Sequence, residues 1–312
     1  MSELTAAIAY LRSPLAIRAR CETILEAGLA DQLRHFSVSL DKLPAVVDTA
    51  VASTRAKYPD LEIPAFTHVA RLDAELADLT PEEKARAAVE LVIVSVLLDE
   101  DASDAFRTGQ FSSIPGDPLR ADASGLRDAS NKTIRALGGA VSLAPRTFRF
   151  GRLGGIVDAL LATGATIAAP ALLQVLLEAL APMWPDSVTV GDVTMGDVWH
   201  HPAAGGAGPS AGLVPFHKHA QWIAYSMVEP LAAVGISVQH LGALTALADQ
   251  RTSSLLVDQG LLVPRYEALD DEVVTEWRAL TIALLDRVAD GVQKALGKTT
   301  VELPLSSVLQ IL

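Results

Sequence analysis

The chain has 312 residues and a single cysteine, Cys21, so it can form no internal disulfide and no cysteine-based metal site. That usage fits a reducing compartment, and the expected location is cytoplasmic. Aromatic residues make up only 5% although 50% of the chain is apolar, so most of the apolar content is aliphatic. Such a composition suits close helix packing better than a β-sandwich. Positive charge is scarce as well: 25 Lys and Arg against 37 Asp and Glu leave a formal net charge of −12. This field excludes non-specific binding to nucleic acid or to an anionic membrane, and it obliges any phosphate-bearing ligand to find a local cluster of donors. Residues 1–10 carry no basic segment followed by an apolar one, so no signal peptide is expected. Unbroken apolar runs are missing too, despite a mean hydropathy of +0.31. The longest charge-free apolar stretch, residues 159–177, is interrupted by Gly164, Pro170 and Gln174 and reads as two buried helices joined near 168–170.

What is present reads mostly at helical period. Ser13 followed by Pro14 is a helix start, a capping residue before a proline at the first helical position. Thr80-Pro81-Glu82-Glu83 is a capping box opening a helix to about Leu98. Further helices are expected at about 122–138, 152–163 and 170–181, with an amphipathic one over 271–296 that repeats Val273, Trp277, Leu280, Leu284 and Val288. Residues 58–64, which carry two prolines, read as an extended connector or a short strand, and 99–120 reads as loop. The Gly- and Ala-rich run 203–212 reads as a flexible or tightly turned loop feeding a helix from Pro215. The expected architecture is mainly α, a single helical domain with a few short strands.

Generic catalytic signatures are missing: there is no Gly-x-Ser-x-Gly elbow, no Walker loop and no dinucleotide-binding glycine motif. His200 and His201 are adjacent and His217 and His219 are two apart, spacings that diverge on a regular backbone, so no metal site is expected. The helix expected over 215–229 stands out. His217, Gln221, Tyr225 and Glu229 recur at four-residue steps, with Lys218, Trp222 and Ser226 along the next row. These side chains hydrogen-bond, stack and bind anions, and a glycine-rich loop at a helix start suits an anion. A polar interior seam is the alternative reading. Downstream, Asp249 and Asp258 flank Arg251, as a reactive cluster or as a surface turn with a local ion pair, and Trp199 lies in a turn-like Gly-Asp-Val-Trp-His-His-Pro segment.

Taken together, Gly196-Asp-Val-Trp199, Val214-Pro-Phe-His-Lys218 with Gln221-Trp222 and Glu229-Pro230, Leu244-Thr-Ala-Leu247 with Arg251, Leu255-Leu-Val-Asp258, and Glu276-Trp-Arg-Ala-Leu-Thr281 with Leu284-Leu-Asp-Arg287 resemble the Urc4/Urg3 family of uracil-catabolism proteins. The resemblance is dense over 196–287 and thinner over 11–36 and 87–126. The family's motifs are similar in turn to those of queuosine-nucleotide N-glycosylases, helical proteins distantly related to DNA glycosylases, at Lys218, Gln221, Asp249 and Arg251. The resemblance implies one family domain over 1–312, shortened at its C-terminus. It also implies an N-glycosyl hydrolase that cleaves a ribosylurea 5-phosphate, the ring-opened derivative of uridine monophosphate, to urea and ribose 5-phosphate.

Under that resemblance Asp249 stabilises charge at C1 of the ribose or activates water. Lys218 and Arg251 hold the phosphate or polarise the leaving group, Gln221 binds the urea amide, and Trp222 or Trp199 supplies a flat wall. His217 and Tyr225 complete the substrate-binding set, and Asp258 either acts as a second carboxylate or orients Arg251. Asp249-Gln250 stands where the uracil branch has Glu-Tyr, and Ala65-Phe66-Thr67-His68 where it has a His-Ser-Arg group. No cofactor or metal is called for. The expected partners are the small phosphorylated substrate and other uracil-catabolism enzymes. Two alternatives differ in class: a non-catalytic scaffold for the ring-opening enzyme, and an amidohydrolase that releases ammonia from the urea group.

Overall fold

In a computed structural model, which describes residues 2–64, 79–98, 154–181, 188–266 and 270–312, the chain is mainly α. In chain order the described elements are α1 (Glu3–Leu11), α2 (Pro14–Leu29), β1 (Phe36–Val38), α3 (Leu43–Lys57), α4 (Pro81–Leu98), α5 (Gly155–Leu161), β2 (Thr166–Ala168) and α6 (Ala169–Ala179). They continue with β3 (Thr189–Val190), β4 (Val193–Thr194), β5 (Val198–His200), β6 (Leu213–Pro215), α7 (Lys218–Ser226), α8 (Val228–Ala233) and β7 (Ser237–Gln239). The last are α9 (Gln250–Asp258), β8 (Leu262–Pro264), α10 (Asp271–Leu296) and α11 (Leu305–Ile311). The contacts gather into two compact units, one of residues 1–66, 184–221 and 240–312 and one of residues 67–183 and 222–239. The division falls inside α7.

Local chemistry sets the main helices. The Ser13 hydroxyl accepts the Ala16 N–H at 3.2 Å and Pro14 opens α2. At α4 the capping box closes both ways, Glu83 N–H to the Thr80 hydroxyl at 3.3 Å and Thr80 N–H to the Glu83 carboxylate at 2.9 Å. The 26-residue α10 starts on Asp270, whose carboxylate accepts the Val273 N–H at 2.9 Å, and ends at Gly297 in the left-handed conformation. Its periodic residues Val273, Leu280, Leu284 and Val288 are fully buried, and it packs against α2 and α3 at the centre of the first unit.

The charge-free stretch 159–177 divides between α5 and α6 with β2 between them, and Pro170 lies in the first turn of α6. No described helix is long and apolar enough to cross a membrane. Residues 58–64 form no helix or strand. The helix expected over 122–138 and the loop over 99–120 lie outside the described residues. In the second unit α4 packs against α5 and α8, β2 pairs in parallel with β7, and Arg86 meets Asp158 at 2.6 Å.

Two expectations around Pro215 are corrected. Pro215 is not helical: it ends β6, Leu213–Pro215, which pairs antiparallel with β5 so that Trp199 faces Val214 and His200 faces Leu213. The helix therefore begins three residues later, at Lys218. The run 203–212 does not feed it directly, nor is it a loose loop. Arg20, a buried residue of α2, donates to the Ala204 carbonyl at 2.9 Å and to the Ser210 carbonyl and hydroxyl at 3.2 Å, so the turn is tied to the helix. Gly206 has a φ of +87°, and a Cβ there would run into the Arg20 guanidinium.

Candidate functional site

A bend between β4 and β5 holds Asp197, a side chain with four hydrogen bonds. Gly196, with a φ of +73°, turns the chain so that Asp197 faces the start of α7. The Asp197 carboxylate accepts two parallel bonds from Arg278 of α10, at 2.8 Å each, one from the Trp199 indole N–H at 2.8 Å and one from the Lys218 backbone N–H at 3.0 Å. A carboxylate has about four acceptor positions, and these donors fill them. Although burial opposes the charge, the Arg278 guanidinium and the remaining donors hold the Asp197 carboxyl far below its usual range. Arg278 in turn lies over the Phe216 ring at 4.1 Å and near Trp199 at 5.9 Å. Asp197 is thus a saturated anchor that sets the start of α7. The same carboxylate occupies a helix-start N–H that a ligand anion would have used.

The polar stripe expected along 215–229 is broken. His217 lies before α7 with a φ of +47°, and Glu229 belongs to the separate α8 and is exposed. Chain pairing at β6 and the bend over Asp197 make the break: Phe216 and His217 direct their N–H groups at the Asp197 carbonyl, at 2.9 and 3.4 Å. The His217 ring is buried and its Nε2 lies 3.0 Å from the Leu11 carbonyl oxygen. Leu11 is itself locked in an apolar cluster with Val190, Met195, Val198 and Leu213.

Gln221 is fully buried, and its amide is committed within the protein. Its oxygen accepts the Thr245 N–H at 2.8 Å, and its nitrogen donates to the Phe216 carbonyl at 3.0 Å and the Thr245 hydroxyl at 2.9 Å. This removes it as a ligand for urea. It also ties the segment of Lys218 to the segment that leads into Asp249, so two stretches far apart in sequence meet. Asp249 caps α9: its Oδ1 accepts both the Thr252 N–H at 2.8 Å and the Thr252 hydroxyl at 2.9 Å. Its Oδ2 makes no hydrogen bond among the described residues, and the residue is half-buried.

Arg251 is exposed and donates to the Leu309 carbonyl at 3.2 Å. Asp258, the last residue of α9, is exposed. A helix rises about 1.5 Å per residue, which puts Asp258 roughly 13 Å along the axis from Asp249 and about 10 Å from Arg251. Among the described residues Arg251 forms an ion pair with neither carboxylate, so the expected local pair is not made. Trp199 is half-buried, with its indole N–H on Asp197. Trp222 and Tyr225 are both buried and fall in the portion of α7 that belongs to the second unit. No group of three or more His, Cys, Asp or Glu among the described residues is placed to hold a metal ion.

Asp197 and Arg278 had no assigned role in the sequence, although both sit inside the motifs that carry the family resemblance. They lie 81 residues apart, and no local pattern joins them.

A family model described as "Protein of unknown function (DUF1688)" matches residues 10–108 and 123–311 of the chain. A protein of Schizosaccharomyces pombe named "Protein urg3" is 26% identical over 368 residues, covering 97% of this chain and 90% of the relative. One of Lachancea kluyveri named "Uracil catabolism protein 4" is 28% identical over 202 residues, covering 53% of this chain and 46% of the relative.

Proposed function

The chain belongs to the family described as "Protein of unknown function (DUF1688)", and from the resemblance its motifs carry we propose that it acts in uracil catabolism as an N-glycosyl hydrolase. The pathway is suggested by the name of the Lachancea kluyveri relative. The substrate of this reading is a ribosylurea 5-phosphate. Water adds to C1 of the ribose, the C1–N bond breaks, and urea leaves after gaining a proton, with ribose 5-phosphate as the second product. As the bond opens, positive charge grows on C1 and the ring oxygen, and a carboxylate beside it stabilises that charge or takes the proton from water.

The observation that carries this reading is the division of labour within the Asp249 carboxylate. Thr252 holds Oδ1 by two hydrogen bonds, and Oδ2 remains without a hydrogen bond among the described residues. A side chain fixed through one oxygen offers the other with little loss of rotamer freedom. Exposed Arg251 and the Lys218 side chain are the cations this reading assigns to the phosphate. Asp197 takes no part in proton transfer, since its four acceptor positions are filled.

The test is an assay of purified protein with ribosylurea 5-phosphate. Equal release of urea and ribose 5-phosphate is the expected outcome. Ammonia as the first product would replace this reading with an amidohydrolase, and tight binding without any product would replace it with a non-catalytic partner of the ring-opening enzyme.

A further inference from the structure

His217 combines three features that local structure does not require. Its backbone is left-handed at a φ of +47°, a conformation uncommon outside glycine that persists only where the surroundings impose it. Here the surroundings are the Asp197 carbonyl, which receives the Phe216 and His217 N–H groups, and the Asp197 carboxylate, which receives that of Lys218. The ring is 2% exposed, and its Nε2 faces the Leu11 carbonyl oxygen at 3.0 Å. A carbonyl oxygen only accepts, so Nε2 carries the proton, and in a neutral ring Nδ1 is then a bare acceptor. That Nδ1 is buried and has no hydrogen-bond partner among the described residues. Burial keeps the ring neutral by lowering its affinity for a second proton.

A buried acceptor left unpaired is uncommon and costs about 1–3 kcal/mol, and in a left-handed residue it adds to a backbone cost. Gln221, the residue the family resemblance suggested for the urea, is committed to Thr245 and Phe216. We propose that Nδ1 of His217 accepts a hydrogen bond from an N–H of the substrate, so that the site selects a ureido or amide group at this point. The proposal rests on the hydrolase reading and deepens it. A bare lone pair repels phosphate and carbonyl oxygens. The phosphate end of the ligand is therefore bound elsewhere, and His217 reads the leaving group.

The test uses two probes: the carbocyclic analogue of ribosylurea 5-phosphate, which lacks the ring oxygen and cannot form the oxocarbenium ion, and the same analogue with every urea N–H methylated. In wild-type protein labelled with 15N histidine, the first probe is expected to move the His217 Nδ1 resonance toward its hydrogen-bonded position, and the second is expected to leave it unmoved. Wild-type affinity should favour the first probe by about tenfold or more, the scale of one hydrogen bond to a buried acceptor. His217→Gly, which relieves the φ and deletes the acceptor, should shrink that preference to about threefold or less. His217→Asn tolerates the same backbone and returns an oxygen near the Nδ1 position, so it should recover part of the preference.

An Nδ1 resonance that does not respond to the first probe overturns the inference, whether or not the protein hydrolyses ribosylurea 5-phosphate. An undiminished preference in a folded His217→Gly variant overturns it as well. Hydrolysis without the Nδ1 response leaves the hydrolase reading standing alone. An Nδ1 response without hydrolysis does the reverse, and should His217→Gly fail to fold, the wild-type spectrum decides.

Discussion

Arg278 meets Asp197 through two parallel hydrogen bonds of 2.8 Å each, joining the first third of α10 to the bend before β5. The two side chains are 11% and 17% exposed, so the pair is largely shielded from water. Because Asp197 also receives the Lys218 N–H and the Trp199 indole, one carboxylate places the start of α7, the Trp199 ring and the turn that holds His217 at a positive φ. The candidate site therefore stands on a carboxylate whose acceptor positions are filled from within the protein.

Removing half of that anchor should be costly. Arg278→Met leaves a buried carboxylate without its cation, and the expected loss is about 3–5 kcal/mol, read as a fall in Tm of several degrees. Adding Asp197→Asn to Arg278→Met removes the stranded charge and should restore a large part of the loss. A double-mutant cycle by urea denaturation checks this, and simple additivity of the two losses would contradict it. Asp197 itself adds no pH dependence near neutrality. Its folded value lies below the ordinary 3.8, so its contribution is complete above that value and declines only as the pH falls towards the depressed folded one.

The histidines beside Lys218 set the acid limit. Burial, then the neighbouring Lys218 charge, pushes His219 down to about 3 from an ordinary 6.5, and burial lowers His217 in the same direction. Each takes up a proton more readily unfolded than folded. Their contribution to stability is thus complete above 6.5 and falls as the pH drops from 6.5 towards 3. Urea titrations at about pH 7.5 and about pH 5 should show the lower value at the acidic pH, and His219→Asn should flatten the difference. An unchanged slope in that variant would contradict the assignment.

Asp249 separates capping from chemistry by simple replacement. Asparagine caps as well as aspartate, so Asp249→Asn should keep Tm close to wild type, whereas Asp249→Ala loses the Thr252 bonds and about 0.5–2 kcal/mol. If the carboxylate serves the proposed hydrolysis, both variants lose on the order of a hundredfold or more in kcat. An Asp249→Asn protein with wild-type turnover would leave the residue a helix cap only.

The glycine-rich turn offers a test of rigidity. Gly206→Ala places a Cβ against the Arg20 guanidinium in a backbone conformation that alanine disfavours. It should lower Tm measurably, while Gly235→Ala, where the φ is +80° and nothing lies within 4 Å of the added Cβ, reports the backbone cost alone. Equal losses at the two positions would mean that Arg20 does not hold the turn.

Several elements were legible in the chain because their causes are local. Ser13-Pro14, the Thr80 box and the periodic stripe of 271–296 each carry start signals or spacing within a few residues, and they produced α2, α4 and α10. The family was legible for a related reason: its motifs are short strings in a fixed order, and the family found matches the resemblance they carried. The stretch 215–217 has helical spacing but is not helix, because hydrogen bonds to Val198–His200 and to Asp197 outweigh that spacing, and those partners lie elsewhere in the chain.

By itself, then, the sequence determined a mainly helical chain, its family, and the residue types present near Lys218 and Asp249, since propensity, capping and motif order act over short distances. Only the tertiary structure decided which of those polar groups were already in use. It committed Gln221 to Thr245, Asp197 to Arg278 and one oxygen of Asp249 to Thr252, and it left Nδ1 of His217 buried without a partner among the described residues. A buried hydrogen bond depends on a fraction of an ångström between groups tens of residues apart, and that distance exists only once the chain has folded.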